Sequence, residues 1–387
     1  MPAPTSAAPA SPSTARAIND RLALRLLQDE GPLTAGQLKK LTGLSRPTVA
    51  DLVERLQGSG LVEVVGESGA ERRGPNARLY GIVADRAHLA ALDVRTDSVA
   101  VLVADLLGNP LAEAALPIGA EAGTGPAVER AVALVERAAR EAGAARLHSV
   151  GVGAPGLIDP VSGELRETTG LPAWHRELVA ALSGRLSAGV LVENEVNLAA
   201  MAEHRLGAAR GRDDFVLFWL GRGVGAAVFL DGRLRRGVSG GAGEIGFLPV
   251  PGTSGLPSAT GCDGGFHSLA GAGAIVRLAA RHGLTGGAEA LVRDAEGPFL
   301  EELAERLAIG AAAVVSVLDP GLVVLGGELG HAGGEVLAER VRRRLAALSP
   351  LGTEVRATGL GDRAVLRGAL LAARDAAQDD LFGPPAP

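Results

Sequence analysis

The stretch Leu191-Val192-Glu193-Asn194-Glu195-Val196-Asn197-Leu198-Ala199-Ala200 constrains this chain more than any other. The apolar run at residues 190–192 reads as a buried strand. Polar Glu193, Asn194, Glu195 and Asn197 follow, and an alanine-rich run to about Leu206 reads as a helix. In an open α/β sheet, ligands bind at the carboxyl ends of strands. Carboxylate and amide side chains placed there can hold hydroxyl groups, and a carboxylate can also take a proton. A plainer reading is that Asn194 only caps the helix. The surrounding sequence weighs between the two.

The chain has 387 residues, room for about two or three domains. Hydrophobic residues make up 47% but aromatics only 3%, so a core is available and must be built from Ala, Val and Leu. The single cysteine, Cys262, excludes an internal disulfide framework and a cysteine-rich metal cluster. No uncharged apolar stretch reaches the roughly 18 residues of a membrane span, so no membrane partner is expected. The N-terminal residues lack the pattern of a secretion signal, and a cytoplasmic protein is expected. The net charge of −6 divides into +1 over residues 1–85 and −7 over the rest. That imbalance is weak evidence for nucleic acid, so the placement of the head's arginines matters more.

Residues 1–15 are rich in Pro, Ala, Ser and Thr and read as a flexible tail. Ile18, Leu22, Leu24, Leu26 and Leu27 form a helical stripe that Gly31-Pro32 ends. Thr34 is positioned to cap a short helix over residues 35–41, and Ser45 to cap a third helix reaching about Gln57. The third helix buries Val49, Leu52, Val53 and Leu56 and turns Arg46, Thr48, Asp51 and Arg55 outward. Two helices joined by a glycine turn describe a helix-turn-helix, whose second helix enters the major groove with its N-terminal residues at the base edges. Strands over residues 61–65 and 78–83 flank a turn carrying Arg72 and Arg73, a basic wing suited to phosphates or a minor groove. Ser45, Arg46, Thr48 and Arg55 are the candidates for base readout, and Lys39, Arg72 and Arg73 for backbone contacts. A protein-binding head with solvated arginines is the plainer alternative.

From residue 89 a new pattern begins. A strand over 89–93, a turn at Arg95-Thr96-Asp97 and a strand over 99–105 recur, about 127 residues on, as strand 216–220, turn Gly221-Arg222-Gly223 and strand 226–230. The recurrence suggests a duplicated fold, two α/β lobes facing a cleft. Ordinary hairpin recurrence would look the same. Helices are expected over 127–142 and 301–318, strands over 149–152 and 322–325, and a second tail over 376–387.

Five motifs now stand in order: Gly153-Ala154-Pro155-Gly156, Glu193-Asn194-Glu195-Val196-Asn197, Gly221-Arg222-Gly223-Val224-Gly225, Gly243-Glu244-Ile245-Gly246, and Leu318-Asp319-Pro320 through Leu325-Gly326-Gly327. Behind a helix-turn-helix head, they resemble the ROK family of repressors, open reading frames and sugar kinases, specifically its transcription-factor branch, over about residues 16–375. The resemblance implies a winged helix-turn-helix over 16–85. It also implies a two-lobed actin-like ATPase fold of the sugar-kinase kind over 86–375.

The departures from the family pattern carry as much weight. Family kinases have Asp-x-Gly-Gly-Thr in the first phosphate loop, where this chain has Asp93-Val94-Arg95-Thr96-Asp97. Side chains therefore stand where backbone would approach a phosphate. In the second loop Arg222 replaces a threonine and could still attract an anion. Glu195 replaces the family's catalytic aspartate and is one methylene longer. Base catalysis is sensitive to misplacement of about 1 Å, so kinase activity and ATP binding are expected to be lost.

The family's zinc ligands, a histidine and three cysteines, align with Phe247, Ser258, Thr260 and Gly265, with Cys262 between them. Zinc needs about four N, S or O ligands, so no metal is expected. By the resemblance Asn194, Glu195 and Glu244 would hold an effector. His267 stands where the family has a glutamate and is the fourth effector candidate, a surface or packed histidine being the plainer reading.

The expected protein is a transcriptional regulator of carbohydrate genes, most simply a repressor. It would act as a homodimer or dimer of dimers on an inverted-repeat DNA operator and answer to a sugar or sugar phosphate. The alternatives are an ATP-dependent sugar kinase with an added head, and a regulator whose body binds no small molecule.

Overall fold

The computed structural model describes residues 12–68, 77–119, 123–166, 173–258, 261–294 and 296–383. Helix α1 (Pro12–Glu30) opens the head, beginning inside the stretch read as a tail; residues 1–11 lie outside the described residues. In α2 (Ala35–Thr42) the cap is reciprocal. The Gln37 amide donates to the Thr34 hydroxyl at 3.2 Å, and the Thr34 amide donates to Gln37 Oε1 at 2.9 Å. Ser45 caps α3 (Arg46–Gly58) by accepting from the Thr48 amide at 3.3 Å, and Pro47 occupies the first turn. Val49, Leu52, Val53 and Leu56 are buried.

The wing holds one strand more than the sequence suggested. Strands β1 (Leu33–Thr34), β2 (Val62–Ser68) and β3 (Ala77–Ile82) form an antiparallel sheet in the order β1-β3-β2. Two residues are too few to show a period of two. The sequence over residues 61–65 reads as an alternating strand, and in β2 that alternation fails. A register shift between Val64 and Gly66 leaves both Val64 and Val65 exposed. Arg72 and Arg73 lie outside the described residues.

A 3-10 turn, Ala84–Arg86, leads into the body. Its first lobe is built on β4 (His88–Val94), β5 (Ser98–Asp105), β6 (Pro110–Pro117), β7 (Leu147–Ala154) and β8 (Gly189–Asn194). Helices α4 (Thr124–Glu141) and α5 (Trp174–Arg185) precede β7 and β8, and α6 (Glu195–Leu206) follows β8. The second lobe has β9 (Phe215–Leu220), β10 (Val224–Leu230), β11 (Arg233–Arg235), β12 (Leu322–Gly326) and β13 (Glu354–Ala357). Its helices are α7 (His267–Ala270), α8 (Ala272–Arg281), α9 (Ala288–Asp294), α10 (Pro298–Leu318) and α11 (Gly327–Leu348). The sheets run β6-β5-β4-β7-β8 and β11-β10-β9-β12-β13. Counted within each lobe the order is the same, with the first three strands antiparallel and the last two joined in parallel. The duplication suggested by the two hairpins is therefore a property of the whole sheet.

Three expectations are corrected. The run 190–192 is not a buried strand, because β8 is the edge of its sheet and Leu191 is 39% exposed. An apolar run tells that a strand has partners without telling how many faces are covered. Strands β6 and β11 extend both hairpins beyond the expected pair. The stretch 376–387 is not simply a tail: α12 (Ala364–Leu381) continues through its first half, with Ala377 and Phe382 buried; residues 384–387 lie outside the described residues.

The end of α12 is held because it packs on the head. Ala23, Leu24 and Leu27 of α1 share one buried cluster with Ala373, Ala377 and Phe382. Gln378 Nε2 donates to Gln28 Oε1 at 2.8 Å, and Arg21 pairs with Asp379. The other end of α12 packs on β4, β7 and α6. One helix thus spans from the head to the helix that follows the Glu193-Asn194-Glu195 turn.

Candidate effector cleft and nucleic-acid face

Between the lobes lies a cleft of about 570 Å³. Asn194, Glu195, Glu244 and His267 all line it, so the structure brings together the four residues expected around an effector. They come from β8, the first turn of α6, the Gly243-Glu244 turn and α7. Gly243 is required where it stands. Its φ is +95°, and a Cβ there would sit 1.9 Å from the Ala226 carbonyl oxygen. That contact, with the Ala226 amide donating to the Gly243 carbonyl at 2.7 Å, fixes Glu244 against β10. Trp219, at the end of β9, also lines the cleft and was not anticipated. In a chain with two tryptophans, one beside a glycine turn at a strand end was the available signal. Trp219 and Phe247 supply aromatic surface, as small-molecule sites commonly do.

Asn194 caps α6 and also lines the cleft. Its Oδ1 accepts from the amides of Val196 at 2.9 Å and Asn197 at 3.3 Å, capping α6. Its Nδ2 donates to the Gly156 carbonyl at 3.1 Å and to Glu195 Oε2 at 3.0 Å. The amide therefore orients Glu195 and ties the Gly153-Ala154-Pro155-Gly156 turn to α6. Glu193 is braced in turn by Asn197 Nδ2 at 2.9 Å and by Arg236 Nε, from the other lobe, at 2.6 Å.

Burial pushes the Glu195 carboxyl up from its ordinary 4.5 to about 8. A bond from its own amide opposes the rise, and the carboxylates of Asp93, Glu244 and Glu328 add to it. Near neutral pH Glu195 is mostly a carboxylic acid, suited to donate a hydrogen bond and poorly suited to stand ready as a base. The unfolded chain releases this proton near pH 4.5, whereas the fold keeps it to about pH 8, so ionisation opposes folding across that window. Glu195→Gln is therefore expected to match the parent's stability below about pH 4.5 and to gain on it up to about pH 8. Above that the gain stays constant, on the order of a few kcal/mol for a shift of that size. Melting curves across pH check this; a gain independent of pH would refute it. Burial also raises the Glu244 carboxyl.

The positions that the resemblance assigns to zinc hold Phe247, Ser258 and Gly265, while Thr260 lies outside the described residues. Cys262 lines the cleft as a single thiol. This donor set does not fit a tetrahedral zinc site. A nucleotide fits no better. Between the β4–β5 and β9–β10 turns, where the resemblance places its phosphates, Arg95 and Glu328 meet.

On the head, Ser45 and Arg46 are exposed at the start of α3 and Thr48 is half-buried, its hydroxyl 2.7 Å from that of Ser45. Among the described residues Arg46 makes no ion pair, and Lys39 is exposed on α2. Arg55 is placed differently. Its Nη2 donates to Asp20 Oδ1 at 2.6 Å and it pairs with Asp51, so it joins α3 to α1 from the last turn of the helix. The outward face was legible in the sequence; the partner on α1 was not.

Residues 18–74 match the MarR family. The chain is 23% identical over 379 residues to the xylose repressor of Caldicellulosiruptor bescii, a match covering 91% of this chain and 94% of that protein. A ROK family transcriptional regulator, a homologue of the Escherichia coli MLC protein, superposes with a TM-score of 0.77 at 20% identity, covering 95% of this chain and 98% of that one. The ROK hexokinase of Thermus thermophilus superposes on the body with a TM-score of 0.63 at 29% identity, covering 76% of this chain and 99% of that one. Residues 89–376, the whole two-lobed body, match the ROK family, and the chain belongs to it.

Proposed function

We propose that the chain is a sequence-specific DNA-binding transcriptional regulator, a repressor of carbohydrate-related genes, whose body takes a sugar or sugar phosphate. The observation that carries the reading is the joining of two sites by one core. A winged head, with Arg46 exposed at the first turn of α3, packs through α1 and α12 on a body with a polar cleft. The full-length match to a repressor supports it. The ionisable side chains that line the cleft are Glu195, Glu244 and His267, and among the described residues no Lys or Arg lines it, which favours the unphosphorylated sugar. Two copies on a two-fold axis would present two heads to an inverted repeat. The effector can change DNA affinity only as far as its own affinity differs between the two head arrangements.

The test is to sequence what the purified protein retains from random duplex DNA. Enrichment of an inverted repeat, with half-sites a near-whole number of helical turns apart, is the expected result. No enrichment by protein with a folded head would remove the assignment. A panel of sugars then probes the body: one sugar should raise the melting temperature saturably and change operator affinity. Absence of any such sugar would leave a regulator whose body is a dimerisation module.

A kinase reading is favoured by the hexokinase superposition and by the carboxylates of Glu195 and Glu244. Phosphorylation of a common hexose at a useful rate would establish it. The protonated state of Glu195 and the occupied crevice at Arg95 weigh against it.

A further inference from the structure

The β4–β5 turn of one lobe and the β9–β10 turn of the other face each other across the crevice above Glu195. In a fold that clamps a nucleotide, two such turns are bridged by phosphates, whose charge is met by backbone amides and a bound cation. Here they are bridged by side chains. Arg95, in the first turn, donates through Nε to Asp93 Oδ2 at 3.0 Å and through Nη1 to Glu328 Oε1 at 2.6 Å. Asp93 is buried at the end of β4. His175, in the first turn of α5, has its Nε2 3.2 Å from the Arg95 carbonyl oxygen; burial lowers the imidazole's pKa, so the ring is neutral and donates. Glu328 opens α11 and lies against the second turn, where a Cβ on Gly221 would meet its Oε2 at 2.5 Å. The carboxylate of Glu328 thus sits directly over Gly221, in the place where such a turn would otherwise admit a phosphate.

We propose that the Asp93–Arg95–Glu328 triad is a built-in clasp that holds the two lobes together in place of a nucleotide, so that the cleft is set for a sugar alone and the protein is insensitive to ATP and ADP. The charges balance in this sense: Arg95 supplies the cation that would accompany a nucleotide, and Glu328 supplies the anion that would be its phosphate. A second cross-lobe pair, Arg236 with Glu193, stands on the sugar side of the cleft, so the lobes are tied on both flanks. Domain closure in two-lobed proteins is ordinarily driven by a ligand's contacts with both lobes. A clasp within the chain removes that dependence for one ligand and leaves the other as the sole effector.

The test measures the distance between lobes in the full chain, without DNA or sugar. It therefore stands or falls separately from the DNA-binding and effector assignments. Spin labels are placed at Ala133→Cys in α4 and Ala290→Cys in α9, both exposed, in a Cys262→Ser background. The clasped protein should give one narrow distance distribution, unchanged by millimolar magnesium-ATP or magnesium-ADP. Glu328→Ala and Arg95→Ala should each broaden it and shift it, and the double variant should go no further than either single one, because one contact is lost in all three. Glu328→Ala leaves the buried Asp93–Arg95 pair intact, so it reports on the clasp even if Arg95→Ala does not fold. Distributions that superpose in Glu328→Ala and the parent, or a nucleotide that shifts the parent's distances, would overturn the proposal.

Discussion

Glu203→Ala is expected to lower the unfolding free energy of the body by roughly 3 kcal/mol or more, because it strips the acceptor from several buried donors at once. Glu203 lies in the last turn of α6 and is wholly buried, with no cation beside it among the described residues. Its Oε2 accepts from the amides of Ala208 at 2.6 Å and Gly359 at 3.1 Å; its Oε1 accepts from the Leu360 amide at 3.1 Å and from the Thr358 hydroxyl. The alanine would leave those donors buried and unmet, each costing about 1–3 kcal/mol before the structure relaxes. The loop that carries three of them, residues 358–360, joins β13 to the start of α12, so the loss should loosen both α12 and the head it supports. Urea unfolding followed by circular dichroism checks the magnitude. Limited proteolysis should show earlier cleavage near residue 359, and a transition within about 0.5 kcal/mol of the parent, the spread of ordinary surface changes, would remove the assigned role.

Arg46→Ala is expected to weaken operator binding by about 1–3 kcal/mol and to relax the preference at one base pair in each half-site, the range for loss of a bidentate arginine–guanine contact. The side chain is exposed at the first turn of α3 and has no internal partner among the described residues, so its removal should leave the head's stability unchanged. Arg55→Ala is the contrasting variant. Because Arg55 pairs with Asp20 and Asp51, it should reduce the head's stability without changing which base is preferred. Fluorescence anisotropy at one fixed salt concentration separates the two. A weakening that is equal across all sequences would place Arg46 on a phosphate, and no weakening would remove it from the interface.

Much of the cleft was legible because its parts are local. A strand end, a polar turn and a helix start within residues 189–197 put Asn194 and Glu195 where a ligand can reach them. The Gly-Glu-Ile-Gly turn did the same for Glu244. The caps of Thr34 and Ser45 need only neighbours three residues away, so they could be assigned from spacing alone. Trp219 was missed because an apolar residue at the end of a buried strand reads as core, and only the glycine turn beside it marks the position. The continuation of α12 was missed for a related reason. The residues after 375 are polar and alanine-rich, and only the head's α1 lying against them gives Ala377 and Phe382 something to be buried by.

By itself, then, the sequence determined the elements, the duplicated hairpins, the winged head and the place of the polar turn, since each depends on interactions within a few residues. The tertiary structure alone decided which charges meet. Arg95 and Glu328 are 233 residues apart, Glu203 and Thr358 are 155 apart, and Arg55 finds Asp20 on another helix. A charged side chain in a sequence reads as a solvated face, and hydropathy cannot say otherwise. Whether it becomes a clasp, a brace or a free reader of DNA depends on what the packing of distant elements places beside it.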